Sequence, residues 1–379
     1  MRLRYAVPVA ALALVLAGCG GSDESPASSD TTPTPTSPPT SSATTPSGSP
    51  TTESSPTAEP DGGTADAPEQ LEASEQLLSW QPVEVPLKDA VTRHGSWMLT
   101  VAGSGGSATL QGEDGSTRYA ASGRRVSDAL LDDDWAVVVL QDRTESQPSV
   151  ARITELGTGK TWELDGGSDV PTVNGGTWAL DDDTLVHATV ANGAYCLASV
   201  DLEKQTSSVG WCAPKRHGFN AAHVTDAGTA VLSFDDSRPS CRTVVALDGA
   251  SATPFPGVHD CSAWEGLVTD DGAVWSVIPQ ERQVEKAHFY ARVGQGYYDL
   301  GPGTAGTLTW CDDAAYFVRD PQQDGAAAAL MRWTADDGLS IAYQSPKGQA
   351  FLEDPRCGGD ALTVTARTSS GDEQVTTDL

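Results

Sequence analysis

Short apolar segments alternate with polar turns through the last 300 or so residues, and no helical pattern of 10 to 15 residues intervenes. Each strong segment follows a turn rich in Asp or Gly, residue types that tolerate the left-handed backbone of tight hairpins. Weaker apolar segments precede and follow each strong one, which predicts repeats of four short strands. The strong segments begin 38 to 50 residues apart, at Trp97, Trp135, Leu185, Thr229, Ala273, Ala315 and Ala361.

A repeat of four antiparallel strands at this spacing is typical of one propeller blade. The arrangement resembles WD40-like and YVTN-like bacterial propellers, and the resemblance implies an all-β, seven-bladed β-propeller, with six or eight blades as alternatives. The last repeat has three strands before Leu379. We expect segment 80–85 to supply the fourth strand, which would close the ring and remove both exposed sheet edges. The hairpin 155–162 resembles the Thr-Gly-Lys turn of quinone-dependent dehydrogenase propellers but occurs clearly once, so no cofactor is predicted.

The N-terminus has the pattern of an export signal. Arg2 and Arg4 precede an apolar run over 5–16 that is too short to span a membrane, and Leu16-Ala17-Gly18-Cys19 closes it. This closing sequence resembles the lipobox of bacterial lipoprotein precursors. The resemblance implies a signal peptide over 1–18, lipidation of Cys19, and an extracytoplasmic protein anchored to the cell membrane. The Ala-, Gly- and Asp-rich composition resembles that of actinobacterial proteins.

A polar segment separates this signal from the repeats. Residues 21–60 contain 21 Ser/Thr and 9 Pro and no Phe, Tyr, Trp, Ile, Leu or Val. Such a segment buries too little apolar surface to offset its ordering entropy. We therefore predict that residues 19–70 are a disordered linker after the lipidated cysteine and that residues 71–379 form the propeller domain.

The charge balance excludes one class of partner. The chain has a formal net charge of −29, and residues 71–379 carry 21 basic and 44 acidic residues. Binding to nucleic acid needs a basic surface. We therefore predict no nucleic-acid partner, and a monomer whose partners are the membrane, through its lipid, and an envelope protein or small ligand.

Six cysteines remain after Cys19, and an even number in an exported chain indicates disulfides. Six cysteines allow fifteen pairings. Their order along a propeller favours pairs that are neighbours in sequence: Cys196 with Cys212, Cys241 with Cys261, and Cys311 with Cys357. No Cys-x-x-Cys or histidine at ligand spacing indicates a metal site. The aspartate-rich turns follow no calcium-loop spacing, and we interpret them as turn formers and solubilising charges.

Blade-to-blade loops carry the candidate binding residues. In a propeller these loops share a face around the channel mouth with the loops between second and third strands, and that face is mixed in charge. Loops held on a rigid scaffold are common binding sites. The candidate ligand- or protein-contact site comprises Arg124, Arg125, Lys215, Arg216, His217 and His259; the alternative is that these are ordinary solvated loop charges.

No catalytic set emerges from the sequence. A Gly-x-Ser-x-Gly elbow is absent, although glycosidase carboxylates are recognised by their separation in space and leave no spacing in sequence. We therefore predict a cell-surface lipoprotein whose propeller is a non-catalytic ligand- or protein-binding module. The alternatives are an extracytoplasmic propeller enzyme acting on glycans or lactones, and an envelope protein assembly factor.

The lipid anchor is directly testable. Cys19→Ala removes the sulfur that would carry the lipid, so we expect the protein to leave the membrane fraction, because two or three acyl chains are what hold such a protein stably. Fractionation of cells that express the wild type and the variant checks this. Continued membrane association of the variant would exclude Cys19 as the anchor.

Overall fold

The computed structural model describes residues 67–259, 261–348 and 350–379. The predicted signal peptide, Cys19 and linker residues 20–66 lie outside the described residues. Three short strands come first: β1 (Glu69–Gln70), β2 (Ser74–Glu75) and β3 (Gln81–Pro82). β1 precedes residue 71, the predicted start of the propeller domain.

Seven strand groups, here called units 1 to 7, then follow in chain order. Unit 1 contains β4 (Ala90–His94), β5 (Trp97–Val101), β6 (Ser107–Gly112) and β7 (Gly115–Ala120). Unit 2 contains β8 (Arg124–Leu131), β9 (Trp135–Asp142), β10 (Val150–Glu155) and β11 (Thr161–Leu164). Unit 3 contains β12 (Trp178–Asp181), β13 (Thr184–Ala191), β14 (Ala194–Asp201) and β15 (Thr206–Cys212). Unit 4 contains β16 (His217–Thr225), β17 (Gly228–Asp235), β18 (Arg242–Asp248) and β19 (Ser251–Pro254).

The later units have the same plan with small additions. Unit 5 contains β20 (Ala263–Thr269), β21 (Gly272–Val277), β22 (Ala287–Val293) and β23 (Gly296–Gly303), with a 3₁₀ turn at Val284–Lys286. Unit 6 contains β24 (Thr309–Cys311), β25 (Ala314–Arg319), β26 (Ala329–Thr334) and β27 (Gly338–Gln344). Unit 7 contains β28 (Ala350–Leu352), β29 (Arg356–Gly358), β30 (Ala361–Thr368) and β31 (Glu373–Asp378). Among the described residues, no helix is long and apolar enough to cross a membrane.

The repeat prediction is confirmed at the level of strands. Each strong apolar segment is the second strand of its unit in units 1 to 6, namely β5, β9, β13, β17, β21 and β25; in unit 7 it is β30, which pairs with both short strands before it, β28 and β29. Burial differs among these strands: β9 is buried over seven of its eight residues, whereas β5 is buried only at Leu99. The first strands of neighbouring units pack side by side and line a central channel. The all-β propeller fold is therefore confirmed.

The count of seven blades stays a prediction, because the strands of the described residues form six hydrogen-bonded sheets. One sheet has nine strands, since a single parallel pair, Gly358 with Leu131, joins unit 7 to unit 2. Glycine is required at this junction because a Cβ on Gly358 would overlap the carbonyl oxygen of Arg93 in unit 1.

The predicted ring closure is confirmed. Gln81 and Pro82 in β3 pair antiparallel with Thr376 and Val375 in β31. Val83 extends the ladder by donating its N–H to the carbonyl of Gln374 at 2.9 Å. The first ordered segment thus completes the last unit, and Pro82 is tolerated because β3 is an edge strand.

The same N-terminal segment also crosses the outer edges of units 5 and 6, which the sequence did not indicate. β1 adds to β23 and β2 adds to β27, both in parallel. Trp80 then donates its indole N–H to the carbonyl of Ala342 at 2.9 Å and meets the ring of Tyr343 edge-on at 5.3 Å. Residues 69–83 form a strap over three consecutive units, which we call the N-terminal strap.

Apolar clusters hold the units together, and each joins two units that are consecutive in sequence. The cluster between units 5 and 6, for example, stacks Phe289 on Phe317 with ring centroids 4.1 Å apart. Three disulfides add covalent links, and they match the predicted pairing: Cys196–Cys212, Cys241–Cys261 and Cys311–Cys357.

Trp80 tests how much the strap contributes to stability. Trp80→Ala removes a half-buried indole and its hydrogen bond, so we expect the free energy of unfolding to fall by about 2 kcal/mol. Leu77→Ala is the matched control, because Leu77 is 52% exposed in the same segment and should change stability by less than about 0.5 kcal/mol. Chemical unfolding of both variants measures the difference, and equal midpoints would show that the strap is passive.

Candidate functional site

The turns between first and second strands meet around one mouth of the central channel. They surround a cavity of about 480 Å³. Eight aspartates line it, and we call this cavity the acidic funnel: Asp132, Asp133, Asp181, Asp182, Asp226, Asp312, Asp313 and Asp360. The local reason for aspartate is conformational, since Asp182, Asp312 and Asp313 adopt φ of 47°, 44° and 55°, where most residues with a Cβ are disfavoured.

Hydrogen bonds across unit boundaries hold the funnel rim. The carboxylate of Asp132 accepts the backbone N–H of Asp182 at 2.8 Å, which links units 2 and 3. The Trp135 indole donates to Asp183 at 2.8 Å across the same boundary. His94 Nδ1 lies 3.4 Å from Asp133 and 3.2 Å from Asp360. The rim is therefore built from groups that neighbouring units fix in place.

The funnel carries negative charge that its own residues do not balance. Of its lining residues, Arg356 and His223 are basic. Burial lowers the pKa of His223 to about 4, so its imidazole is neutral at pH 7. Arg356 also faces carboxylates below the rim, since Asp354, Glu353 and Asp128 act on its charge. The Arg356 guanidinium is therefore shared between the carboxylates of the funnel and the carboxylates below the rim.

Crowding of the carboxylates changes their protonation. Burial, together with the charges of Asp132, Asp182 and Asp226, raises the pKa of Asp181 to about 7. Burial likewise raises the pKa of Asp132 to about 6, although hydrogen bonds from the Asp133 and Asp182 backbones oppose the change. The funnel therefore takes up protons close to neutral pH and is fully ionised only above it.

Deeper in the channel, further acids are enclosed. Burial raises the pKa of Asp128 to about 6; Asp128 and Arg356 line a cavity of about 290 Å³. Burial also raises the pKa of Glu265 to about 7. No group of three or more His, Cys, Asp or Glu side chains has metal-holding geometry within the described residues.

The predicted contact residues of unit 2 are engaged locally. Arg124 donates to the carbonyls of Leu140 at 3.2 Å and Pro148 at 2.7 Å. Arg125 donates to the Gln141 side chain through Nε at 2.9 Å and Nη2 at 2.5 Å. Both guanidinium groups thus support the second strand and following loop of their own unit.

The other four predicted residues precede units 4 and 5. Arg216 forms an exposed ion pair with Asp236 at 2.8 Å, and His217 Nδ1 lies 3.2 Å from the Lys215 carbonyl. His259 lies in the loop before β20. None of the six candidates lines the cavities found in the described part of the chain, so their role in binding stays a prediction.

The sequence predicts that the aspartate turns share one face of the propeller, but it did not lead us to propose them as a binding site. Every unit except the first has aspartate in its first turn, and each such turn alone is explained by backbone geometry. The signal was their placement, because a propeller brings all first turns to one mouth. Nothing in the sequence around Arg356 indicated a functional role, because the residues that surround its side chain come from three different units, 1, 2 and 7.

Comparison with known proteins supports the fold. No family model matches the sequence, and no curated protein matches it. The structure is similar to the β-propeller domain of the Trilobed protease from Pyrococcus furiosus, described as having an open velcro topology. That match has a TM-score of 0.53 and 10% identity, and it covers 76% of this chain and 95% of that one.

Two larger proteins contain a similar domain. A prolyl endopeptidase matches with a TM-score of 0.51 and 13% identity over 75% of this chain and 45% of its own. The tricorn protease matches with a TM-score of 0.50 and 11% identity over 81% of this chain and 36% of its own. The chain thus spans less than half of either protease. Its fold and these similarities define it as a β-propeller protein.

The raised pKa of Asp181 predicts a specific pH dependence. Because the folded state holds this proton more tightly than the unfolded chain, the associated stability is present below about pH 4 and lost as pH rises through about 7. Asp181→Asn cannot ionise. Between pH 5 and pH 8 we expect the free energy of unfolding of the variant to rise by about 1–2 kcal/mol relative to that of the wild type. This value is reduced for solvent screening.

Urea unfolding of both proteins across this pH range measures the gain. Asp336→Asn is the control, because Asp336 is exposed in the turn between β26 and β27 and lies outside the funnel. The control removes one negative charge and should not reproduce the pH-dependent gain. A constant difference between wild type and Asp181→Asn would contradict the crowding of carboxylates in the funnel.

Proposed function

We propose that the protein is a bacterial cell-surface lipoprotein, anchored through Cys19, whose propeller is a non-catalytic module that binds a cationic segment of a partner protein in the acidic funnel. The convergence of eight aspartates on one cavity carries this proposal. The lipobox and polar linker support the location, since they precede the propeller in the order expected of a tethered surface domain.

Electrostatics favour a cation over any other ligand class. A concave site lined by one sign of charge focuses the field and attracts the opposite charge. Asp181 and Asp182 both have their pKa values raised by burial and by neighbouring aspartates. A bound Lys or Arg side chain would relieve this repulsion, and the free energy released would favour binding.

The size of the funnel favours a short segment. A volume of about 480 Å³ is within the range of pockets that hold small ligands or a few side chains. A folded domain would contact the rim, while one or two basic side chains from a loop or terminus would enter. The partner is therefore proposed to present Lys or Arg on an exposed segment.

The proposal includes a propeller of seven blades. Units 1 to 6 each supply four strands, and in unit 7 the short strands β28 and β29 both pair with β30 while β3 is added beside β31. The nine-stranded sheet divides naturally at the single Gly358–Leu131 pair, because one bridge contributes far less than the ladders within each unit. Dividing it there gives seven blades around one channel, of which those of units 5 and 6 carry β1 and β2 as an additional outer strand.

Catalysis is the second candidate, and one observation favours it. Asp132 and Asp181 line the same cavity with pKa values of about 6 and 7, and carboxyl groups in that range serve as general acids in glycan hydrolysis. Turnover of envelope glycans that Asp181→Asn abolishes would establish this function in place of the binding module.

Titration with tetralysine tests the binding proposal. We expect saturable binding to the purified full-length protein at pH 8 and low salt, and no binding of tetraglutamate. The double variant Asp132→Asn/Asp181→Asn should weaken tetralysine binding about tenfold, equivalent to about 1.4 kcal/mol, while Asp336→Asn should change it less than twofold. Binding should also weaken below pH 6, as the funnel takes up protons. If the wild type, the double variant and Asp336→Asn bound tetralysine with equal affinity, the cation would bind outside the funnel.

A further inference from the structure

Arg242 is a buried arginine with unpaired guanidinium nitrogens among the described residues. It is the first residue of β18 and is 7% exposed. Its Nε and Nη1 are enclosed and have no hydrogen-bond acceptor in the described part of the chain. An enclosed guanidinium with unpaired donors is strongly destabilising unless another interaction compensates.

Trp264 supplies part of that compensation. The guanidinium carbon of Arg242 lies 5.2 Å from the centre of the Trp264 ring, and such a cation–π contact is favourable, more so when it is desolvated. Trp264 lies at the register irregularity of β20 between Ala263 and Glu265. The contact is less than a full set of charge-assisted hydrogen bonds would provide.

The nearest buried acid in the sequence is engaged elsewhere. Glu265 follows Trp264 but accepts the Ser276 hydroxyl at 3.0 Å and the N–H of Gly306 at 2.8 Å. A further N–H, from Leu308, lies at 3.2 Å. These three donors hold both carboxylate oxygens at the junction of units 5 and 6, so Glu265 is not the counter-ion of Arg242.

The acids of the preceding loop are also engaged. Asp235 accepts the N–H of Cys241 at 2.8 Å, and Asp236 is paired with Arg216. Burial lowers the pKa of Arg242; the charge of Glu281 opposes this change, but Glu281 forms no ion pair with Arg242. Each of these described carboxylates therefore leaves the guanidinium free to take another acceptor.

The pair lies at the end of the blades remote from the acidic funnel. Arg242 begins a third strand and Trp264 lies near the start of a first strand, which places both at that end. His259 is in the loop that leads to β20 at this same end. No ion pair among the described residues holds the guanidinium, so turning it toward a ligand would give up the Trp264 contact and the burial of the side chain.

We propose that Arg242 and Trp264 form a carboxylate-binding site on the face opposite the acidic funnel. The planar guanidinium matches a carboxylate in a bidentate geometry, and the indole offers a flat apolar surface to whatever carries it. The carboxylate belongs either to a free organic acid or to the C-terminus of a peptide. The site is separate from the funnel and does not depend on the proposed cation binding.

Benzoate and benzamide are the first probes, because they have the same shape and differ in charge. We expect benzoate to raise the thermal midpoint of the full-length protein saturably and benzamide to have at least a tenfold weaker effect. Arg242→Met should abolish the benzoate effect. Arg152→Met is the matched control, since Arg152 forms an exposed ion pair with Glu163 at 2.9 Å, and it should leave the benzoate effect unchanged.

The ligand-free midpoints separate a binding site from a structural role. An arginine kept for binding is unfavourable without its ligand, so Arg242→Met should raise the ligand-free midpoint by a few degrees. A lowered midpoint, or equal responses to benzoate and benzamide, would overturn the proposal. Asp260 lies outside the described residues, and Asp260→Asn tests it as an internal partner; a lowered midpoint in that variant would also overturn the site.

A pair of peptides then identifies the source of the carboxylate. A pentapeptide ending in Phe should bind the wild type at least tenfold more tightly than its C-terminal amide if the site takes peptide termini. If it takes free acids, benzoate should bind and both peptides should not. Arg242→Met should lose whichever ligand binds, and retention of that binding in Arg242→Met would exclude the site.

Discussion

Closure of the ring by two distant strands is the constraint on which the rest of the structure depends. The β3–β31 ladder joins Gln81 to Thr376, so its hydrogen bonds connect the two ends of the propeller domain. Pairing over such a separation carries a large entropic penalty that local contacts have to offset first. Six apolar clusters between consecutive units provide those contacts. The strap over units 5, 6 and 7 then aligns β3 with the edge it completes.

The closed ring also explains the electrostatics of the funnel. An isolated Asp-Asp turn is solvated and its charges are screened, but the ring brings such turns from five units to one cavity. Asp132 and Asp226 come close enough for their charges to act on Asp181 only in the folded protein. The stability of the inter-unit clusters therefore holds these carboxylates together against their repulsion, as a site preorganised for a cation requires.

The spacing of the apolar segments and the residue types in the turns were enough to predict much of the fold from the sequence. The seven strong strands, the closing segment and the three disulfides all follow from the spacing of apolar segments and the order of the cysteines. The N-terminal strap was not predictable, because β1 and β2 have two exposed residues each and pair through their backbones. The funnel and Arg242 were missed for another reason. Both sites depend on which charged groups lack an ionic or hydrogen-bonding partner in the folded protein. In the sequence, Asp181 looks like an ordinary turn residue and Arg242 like an ordinary strand residue.

The junction between units 7 and 1 is built differently from the other six. Within the described residues, no apolar cluster joins these two units, and a cavity of about 410 Å³ lies between them. Polar contacts connect them instead: Arg367 donates to the Leu87 carbonyl at 2.8 Å, and Gln374 to the Asp89 carbonyl at 3.3 Å. Because both carbonyls lie just after the strap, the segment that closes the ring also carries the contacts of its least apolar junction. Closure of the ring and the polar contacts of this junction therefore both depend on residues 81–89.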